Sequence, residues 1–111
     1  MLPKQNRLKK ATFKKVLKRG KRIHSPYFVI VYLDCREINK PQVGIIASTK
    51  VGKATKRNRI KRQIGEIIRI ELARIPPSAQ IIVICKPPIT SLPYKQLQEQ
   101  LLAALKKAKL H

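Results

Sequence analysis

The stretch VGKATKRNRIKRQIGEII, residues 51–68, carries the strongest fold signal in the chain. Five of the seven positions from Lys56 to Arg62 are basic, and a run rich in isoleucine follows at once. From Thr55 onward, isoleucine or leucine recurs every three to four residues, at positions 60, 64, 67, 68, 72 and 75. This period predicts an amphipathic helix of about five turns that ends before Pro76.

The cations of this predicted helix stand at its N-terminal end, where the helix dipole opposes positive charge. At about 100° per residue, Asn58, Arg62, Gly65 and Arg69 fall on the outward face, with Arg59 to one side. An anionic partner reverses the unfavourable placement, because helix N–H groups and arginines then point at the same phosphates. The alternative is a solvated charge run, and contact with RNA or DNA is favoured over it.

Charge sets the class of partner that we expect. The 111 residues carry 26 Lys and Arg against five Asp and Glu, for a net charge of +21. A compact state with this charge repels itself, so an anionic partner is expected, and nucleic acid is the favoured one. Apolar runs are far too short to span a bilayer and no signal peptide is visible, which predicts a cytoplasmic protein with no membrane partner.

The rest of the chain predicts a small α+β protein. The apolar fraction of 43% indicates one globular domain, residues 1–111, with a basic N-terminal arm at about residues 1–9. A short helix is expected from about Lys10 to Arg19. Apolar and β-branched segments predict four strands, at residues 21–24, 27–33, 42–48 and 79–85.

Two further details complete the predicted fold. The third strand is expected to pair antiparallel with the second, and Gly44 within it suggests a bulge or a close approach by another element. An amphipathic closing helix is expected to begin near Ser91, with Pro93 in its first turn. The predicted order is α-β-β-β-α-β-α, a small two-layer α/β sandwich.

The chain lacks the residue clusters that a protein nuclease needs. The five carboxylates are scattered, and Cys35, Cys85 and the two histidines are not in metal-ligand spacing. His24 has no evident partner to orient it as a general base. We therefore predict no metal ion or cofactor bound by the protein, no catalytic residue in it, and two reduced cysteines.

Several segments resemble the bacterial ribonuclease P protein family. VGIIASTKVGKATKRNRIKRQIGE, residues 43–66, resembles the RNR signature of that family, which falls here on Arg57, Asn58 and Arg59. LKKATFKKVLKRGKR resembles the family's N-terminal helix, SPYFVIVYLD its next strand, and VICKPPITSLPYKQLQEQL its last strand and closing helix. RNR alone is a weak motif, but these segments together cover nearly the whole chain in the expected order.

The resemblance implies both a fold and a function. The family's fold is an α/β sandwich with a left-handed βαβ crossover through the RNR helix, an exception to the right-handed rule. Its members are the small subunit of a ribonucleoprotein that cuts the 5′ leader from precursor tRNA. The RNA subunit of that enzyme holds the catalytic Mg²⁺ ions. The expected partners are therefore the catalytic RNA and precursor tRNA, and no DNA.

Two contact surfaces follow from the resemblance. The RNR helix and its approach would hold the catalytic RNA through Lys53, Arg57, Asn58, Arg59, Lys61 and Arg62. A cleft between the first helix and the sheet would receive the single-stranded leader, and its expected residues are Phe13, Leu17, Val31, Lys50 and Lys86. Phe13 would stack on a base, with core packing as the alternative.

The chain departs from the family pattern at four positions. Leu17 stands where an aromatic residue is frequent, and Val31 where an aromatic or polar residue is frequent. Thr49 replaces a common lysine, and Gly65 replaces an arginine that often extends the basic row. Leader stacking is therefore expected to be weaker or differently placed.

Three other functions stay open from the sequence alone. A structural RNA-binding protein of the ribosomal type shares the charge and size. A DNA-binding helix-turn-helix protein is disfavoured, because no short helix precedes the basic helix by three or four residues. A protein-only nuclease is poorly supported, for want of clustered catalytic side chains.

Overall fold

The computed structural model describes residues 2–110, so Met1, the first residue of the predicted arm, and His111 lie outside the described part. The elements occur in the predicted order α-β-β-β-α-β-α. They are α1 (Lys10–Arg19), β1 (Lys21–His24), β2 (Phe28–Asp34), β3 (Gln42–Ile46), α2 (Ala54–Glu71), β4 (Ala79–Cys85) and α3 (Tyr94–Lys107). Short 3₁₀ helices lie at Lys4–Asn6, Leu72–Arg74 and Pro87–Ser91.

The four strands form one sheet in the order β1-β2-β4-β3. β2 is antiparallel to both β1 and β4, whereas β3 is parallel to β4. The prediction that β3 pairs with β2 is wrong, although the two strands do run in opposite directions. β4 is apolar almost throughout. It lies between two strands of the sheet and between two helical layers, so its side chains are buried on both faces.

The connection from β3 to β4 runs through α2 and joins two adjacent parallel strands. This is the βαβ unit that the resemblance implies. The left-handed sense of the crossover stays a prediction.

Both faces of the sheet are covered by helices. Because successive side chains of a strand point to opposite faces, neighbours such as Ile81 and Ile82 belong to different apolar clusters. Ile81 packs with Ile64 of α2 and Leu101 of α3. Ile82 packs with Val16 of α1 on the other face. The sheet and the α2–α3 layer are the two predicted layers, and α1 adds a helix on the opposite side.

The N-terminal segment, residues 2–8, lies along the free side of β3. The Leu8 N–H donates to the Val43 carbonyl at 3.0 Å, and Arg7 Nε donates to the Leu2 carbonyl at 3.0 Å. Leu2 is buried and reaches Gly65 of α2, where a Cβ would stand 3.8 Å from the Leu2 nitrogen. The prediction that Gly65 faces outward is therefore wrong, because the start of the chain covers it.

The closing helix begins later than predicted. Pro87–Ser91 forms a 3₁₀ turn, Leu92 is extended, and Pro93 is the N-cap of α3. A residue before proline is disfavoured in helical conformation, which is why α3 cannot include Leu92 and starts only after Pro93.

Candidate nucleic-acid interface

The first turns of α2 carry cations without any acidic residue beside them. Lys53 is the N-cap, its side chain forms no capping hydrogen bond, and the first turn contains no Asp or Glu. Of the six residues predicted to contact RNA, five have exposed side chains, namely Lys53, Asn58, Arg59, Lys61 and Arg62. Because the free N–H groups of the first helical turn face the same region, the start of α2 suits an anion.

Arg57 is the half-buried member of the set. Its Nε atom is buried and has no hydrogen-bond partner among residues 2–110. A buried donor left without an acceptor costs about 1–3 kcal/mol. A phosphate that drew the guanidinium outward would relieve this cost.

The cations of α2 do not form a single row. Asn58, Lys61 and Arg62 line a shallow depression together with Thr55. Arg59 lies on the other side of the helix, where it borders a groove against residues 89–94. α2 is therefore a ridge with a depression on each side, and each depression is bordered by at least one cation of the helix.

Further along α2 the charges are compensated. Arg69 Nε donates to a Glu66 carboxylate oxygen at 3.0 Å, and this contact with Arg69 lowers the Glu66 pKa to about 2. Glu66 is therefore ionised at neutral pH and neutralises Arg69 one turn away. Within α2, the cations that have no carboxylate within one turn of the same helix therefore lie in its N-terminal half.

A cleft of about 450 Å³ lies between α1 and the end of β3, with Phe13 in its wall. Phe13 is half-buried, and its ring tip rests over Gly44, where a Cβ would come within 2.2 Å of Phe13 Cζ. The predicted close approach at Gly44 is confirmed. The ring thus packs against β3 with one part and borders the cleft with another.

The other predicted leader residues do not all meet Phe13. Leu17 is half-buried beside the α1 apolar cluster, and Lys50 is exposed in the turn after β3, outside the cleft lining. Lys86 Nζ donates to the Ser25 carbonyl at 2.7 Å, which ties the end of β4 to the β1–β2 turn. Val31 has no exposed surface, so its prediction as a contact residue is wrong: it lies beneath α1 and supports that helix.

Two cations outside the predicted leader set also line the cleft. Lys10 stands three residues before Phe13 on α1, a spacing that places both on one helix face and that could have identified it. Lys61 of α2 reaches the same cleft from the other side. Lys61 therefore connects the cationic end of α2 with the aromatic ring of α1.

The described residues show neither a metal-binding cluster nor a membrane-spanning helix. Residues 2–110 contain no group of three or more His, Cys, Asp or Glu side chains that could hold a metal ion. Among the helices of that range, none has both the length and the apolar character that a membrane span requires.

Fold and surface together define a small basic α+β protein whose cations cluster at the start of α2. A helix with uncompensated cations stands beside a cleft that holds an aromatic ring. The chain belongs to the ribonuclease P protein family: the family model described as Ribonuclease P matches residues 2–109.

Individual relatives agree with this assignment. The chain is 36% identical over 100 residues to the ribonuclease P protein component of Acidothermus cellulolyticus, covering 87% of this chain and 82% of the relative. A solved Staphylococcus aureus RNase P protein mutant, described as defective in mRNA degradation activity, superposes with a TM-score of 0.91 at 34% identity, covering 97% and 92% of the two chains. The Thermotoga maritima RNase P protein superposes with a TM-score of 0.82 at 31% identity, covering 91% and 96%.

Proposed function

We propose that this chain is the protein subunit of a ribonucleoprotein that removes the 5′ leader from precursor tRNA by endonucleolytic hydrolysis. The observation that carries the proposal is the family match over residues 2–109, joined to a cationic surface at the start of α2, whose first turn contains no Asp or Glu. The RNA subunit performs the hydrolysis with its Mg²⁺ ions. The protein binds RNA and positions the substrate, in the cytoplasm.

The first contact in this proposal is between α2 and the catalytic RNA. The exposed cations at the start of α2 neutralise phosphates, and the free N–H groups of the first turn add dipoles of the same sign. Asn58 has an amide that can both donate and accept, so it can contact a phosphate or a 2′-hydroxyl. The residues in this role are Lys53, Arg57, Asn58, Arg59, Lys61 and Arg62.

The second contact is between the α1–β3 cleft and the single-stranded leader. Phe13 offers a ring face for stacking, and Lys10 and Lys61 stand on the two sides of the cleft within reach of a phosphate backbone. Because Lys61 also lines the depression on α2, a leader in the cleft lies next to the RNA bound there. The protein thus tightens binding of precursor tRNA and broadens the range of substrates bound.

Replacement of Arg62 by alanine tests the RNA contact. We expect weaker binding of the RNA subunit and a plot of log affinity against log salt that is flatter by about 0.7–0.9, as for one lost phosphate contact. The control is Arg36→Ala, which removes an equal charge from the exposed turn between β2 and β3 and should leave the slope unaltered. An unchanged slope for Arg62→Ala, or recovery of the protein with ribosomal subunits instead of a free catalytic RNA, would overturn the proposal.

The leader contact has its own test. In the reconstituted ribonucleoprotein, Phe13→Leu should weaken binding of precursor tRNA roughly 5-fold or more while affinity for mature tRNA, which has no leader, stays constant. Equal losses for the two RNAs would show that Phe13 acts only in packing.

A further inference from the structure

A second groove lies on the α3 side of α2, away from the leader cleft. It has a volume of about 280 Å³, and its polar and aromatic lining consists of Arg59, Gln63, Thr90, Ser91 and Tyr94. Its size is slightly below the range of about 300–1,000 Å³ typical of pockets for drug-sized ligands, so it suits one planar ring.

The side chains of this groove are available for a partner. Tyr94 is 39% exposed, one of two large apolar side chains so exposed within residues 2–110. Thr90 Oγ1 donates to the Pro87 carbonyl at 3.1 Å and Ser91 Oγ to the Pro88 carbonyl at 2.9 Å. Because both hydroxyl hydrogens are used, the hydroxyl oxygens act as acceptors toward the groove.

The charge and position of the groove indicate which partner it takes. Among residues 2–110, Arg59 is the one charged residue that lines the groove, so the groove attracts an anion. It opens between α2 and residues 89–94, whereas the leader cleft opens between α1 and the end of β3, with Lys61 of α2 at its border. Phe13 does not line this groove, whereas Arg59 and Gln63 of α2 do, so the groove is better placed for an RNA that binds along α2 than for the leader.

We propose that this groove binds one unpaired nucleotide of the RNA subunit. The base stacks on Tyr94, its phosphate pairs with Arg59, and Thr90 and Ser91 accept hydrogen bonds from the 2′-hydroxyl or a base amino group. This inference rests on the proposed function, because it assumes that α2 contacts the RNA subunit. It adds a base-stacking contact to a surface otherwise described by charge alone.

The test measures binding of the RNA subunit, without tRNA, to the full-length protein carrying Tyr94→Ala. We expect affinity to fall roughly 5- to 100-fold, with a salt dependence equal to that of the unsubstituted protein, because a stacking contact carries no charge. Tyr94→Phe should retain most of the affinity, since the ring is kept. Ile70→Ala removes the other exposed apolar side chain, on α2 but outside the groove, and should have no effect.

Two outcomes would overturn the inference while leaving the proposed function intact. The first is an unchanged affinity for Tyr94→Ala while Arg62→Ala still weakens binding. The second is photochemical crosslinking of Tyr94 to another protein chain instead of to a nucleotide in the assembled ribonucleoprotein. If neither Arg62→Ala nor Tyr94→Ala affected binding, the proposed function itself would fall.

Discussion

Replacing Gly44 with alanine tests whether the Phe13 ring is seated against β3. The new Cβ would stand 2.2 Å from Phe13 Cζ and 2.6 Å from Cε1, whereas carbon atoms in ordinary contact are about 3.5–4.0 Å apart. The ring tip must therefore move by about 1 Å or more. Gly44 does not have a positive φ, so alanine adds no backbone strain and the clash is the only structural penalty.

The expected magnitude comes from two opposing effects. Overpacking of this kind costs about 1–3 kcal/mol, and alanine in place of a strand glycine returns about 0.5–1 kcal/mol. The difference spans about 0–2.5 kcal/mol, and because the 2.2 Å contact is a severe clash, we expect Gly44→Ala to lower the free energy of unfolding by about 1–2 kcal/mol. Urea titration at a constant salt concentration measures this as a drop in the urea midpoint of unfolding of roughly 0.5–1.5 M.

The decisive comparison is made in a second background. Phe13→Leu shortens the side chain so that no atom occupies the position of Cζ, and Gly44→Ala should then be neutral or stabilising by up to about 0.5–1 kcal/mol. The difference between the two costs is the coupling energy of the pair. An equal cost for Gly44→Ala in both backgrounds would refute the proposed seating of the ring.

Three further predictions concern other parts of the molecule. Gly65→Ala should raise the free energy of unfolding by about 0.5–1 kcal/mol in urea titration, because its Cβ meets Leu2 at an ordinary 3.8 Å while alanine favours the helix. Burial raises the pKa of Cys85 to about 12, so iodoacetamide at about pH 8 should alkylate Cys35 alone until the protein unfolds, as read by intact mass. Sulfate should raise the melting temperature more than chloride at equal ionic strength, because a net charge of +21 favours multivalent anions. A lower stability for Gly65→Ala, alkylation of Cys85 in the folded state, or equal effects of the two salts would contradict these statements in turn.

Local sequence signals predicted the elements well and their neighbours less well. The limits of α1, β1 and β4 agree with the sequence prediction, because glycine, proline and apolar runs mark them directly. The position of β3 within the sheet could not be predicted from the sequence, because the hairpin rule assumes that consecutive strands pair. Its actual neighbour, β4, comes more than thirty residues later, and only tertiary packing reveals it.

The candidate site shows the same limit at single residues. Val31 was assigned to the cleft, but β2 is apolar on both faces and its pattern does not show which side chains α1 covers. Gly65 falls on the outward face of a helical wheel, which takes no account of Leu2 from the other end of the chain. The division of α2 cations between two sides likewise depends on tertiary packing, since the groove beside Arg59 is formed with residues 89–94, which lie before α3 and at its start.

The segment that runs beside β3 has a consequence for how the protein behaves in isolation. Through the Leu8 to Val43 hydrogen bond and the bridge between Arg7 and Val43, residues 2–8 occupy backbone groups that would otherwise be open at the border of the sheet. An open border of this kind is a template on which strands of other molecules add. Shortening or displacing the segment should therefore open β3 to strands of other molecules at the same time as it removes Leu2 and Leu8 from the apolar clusters.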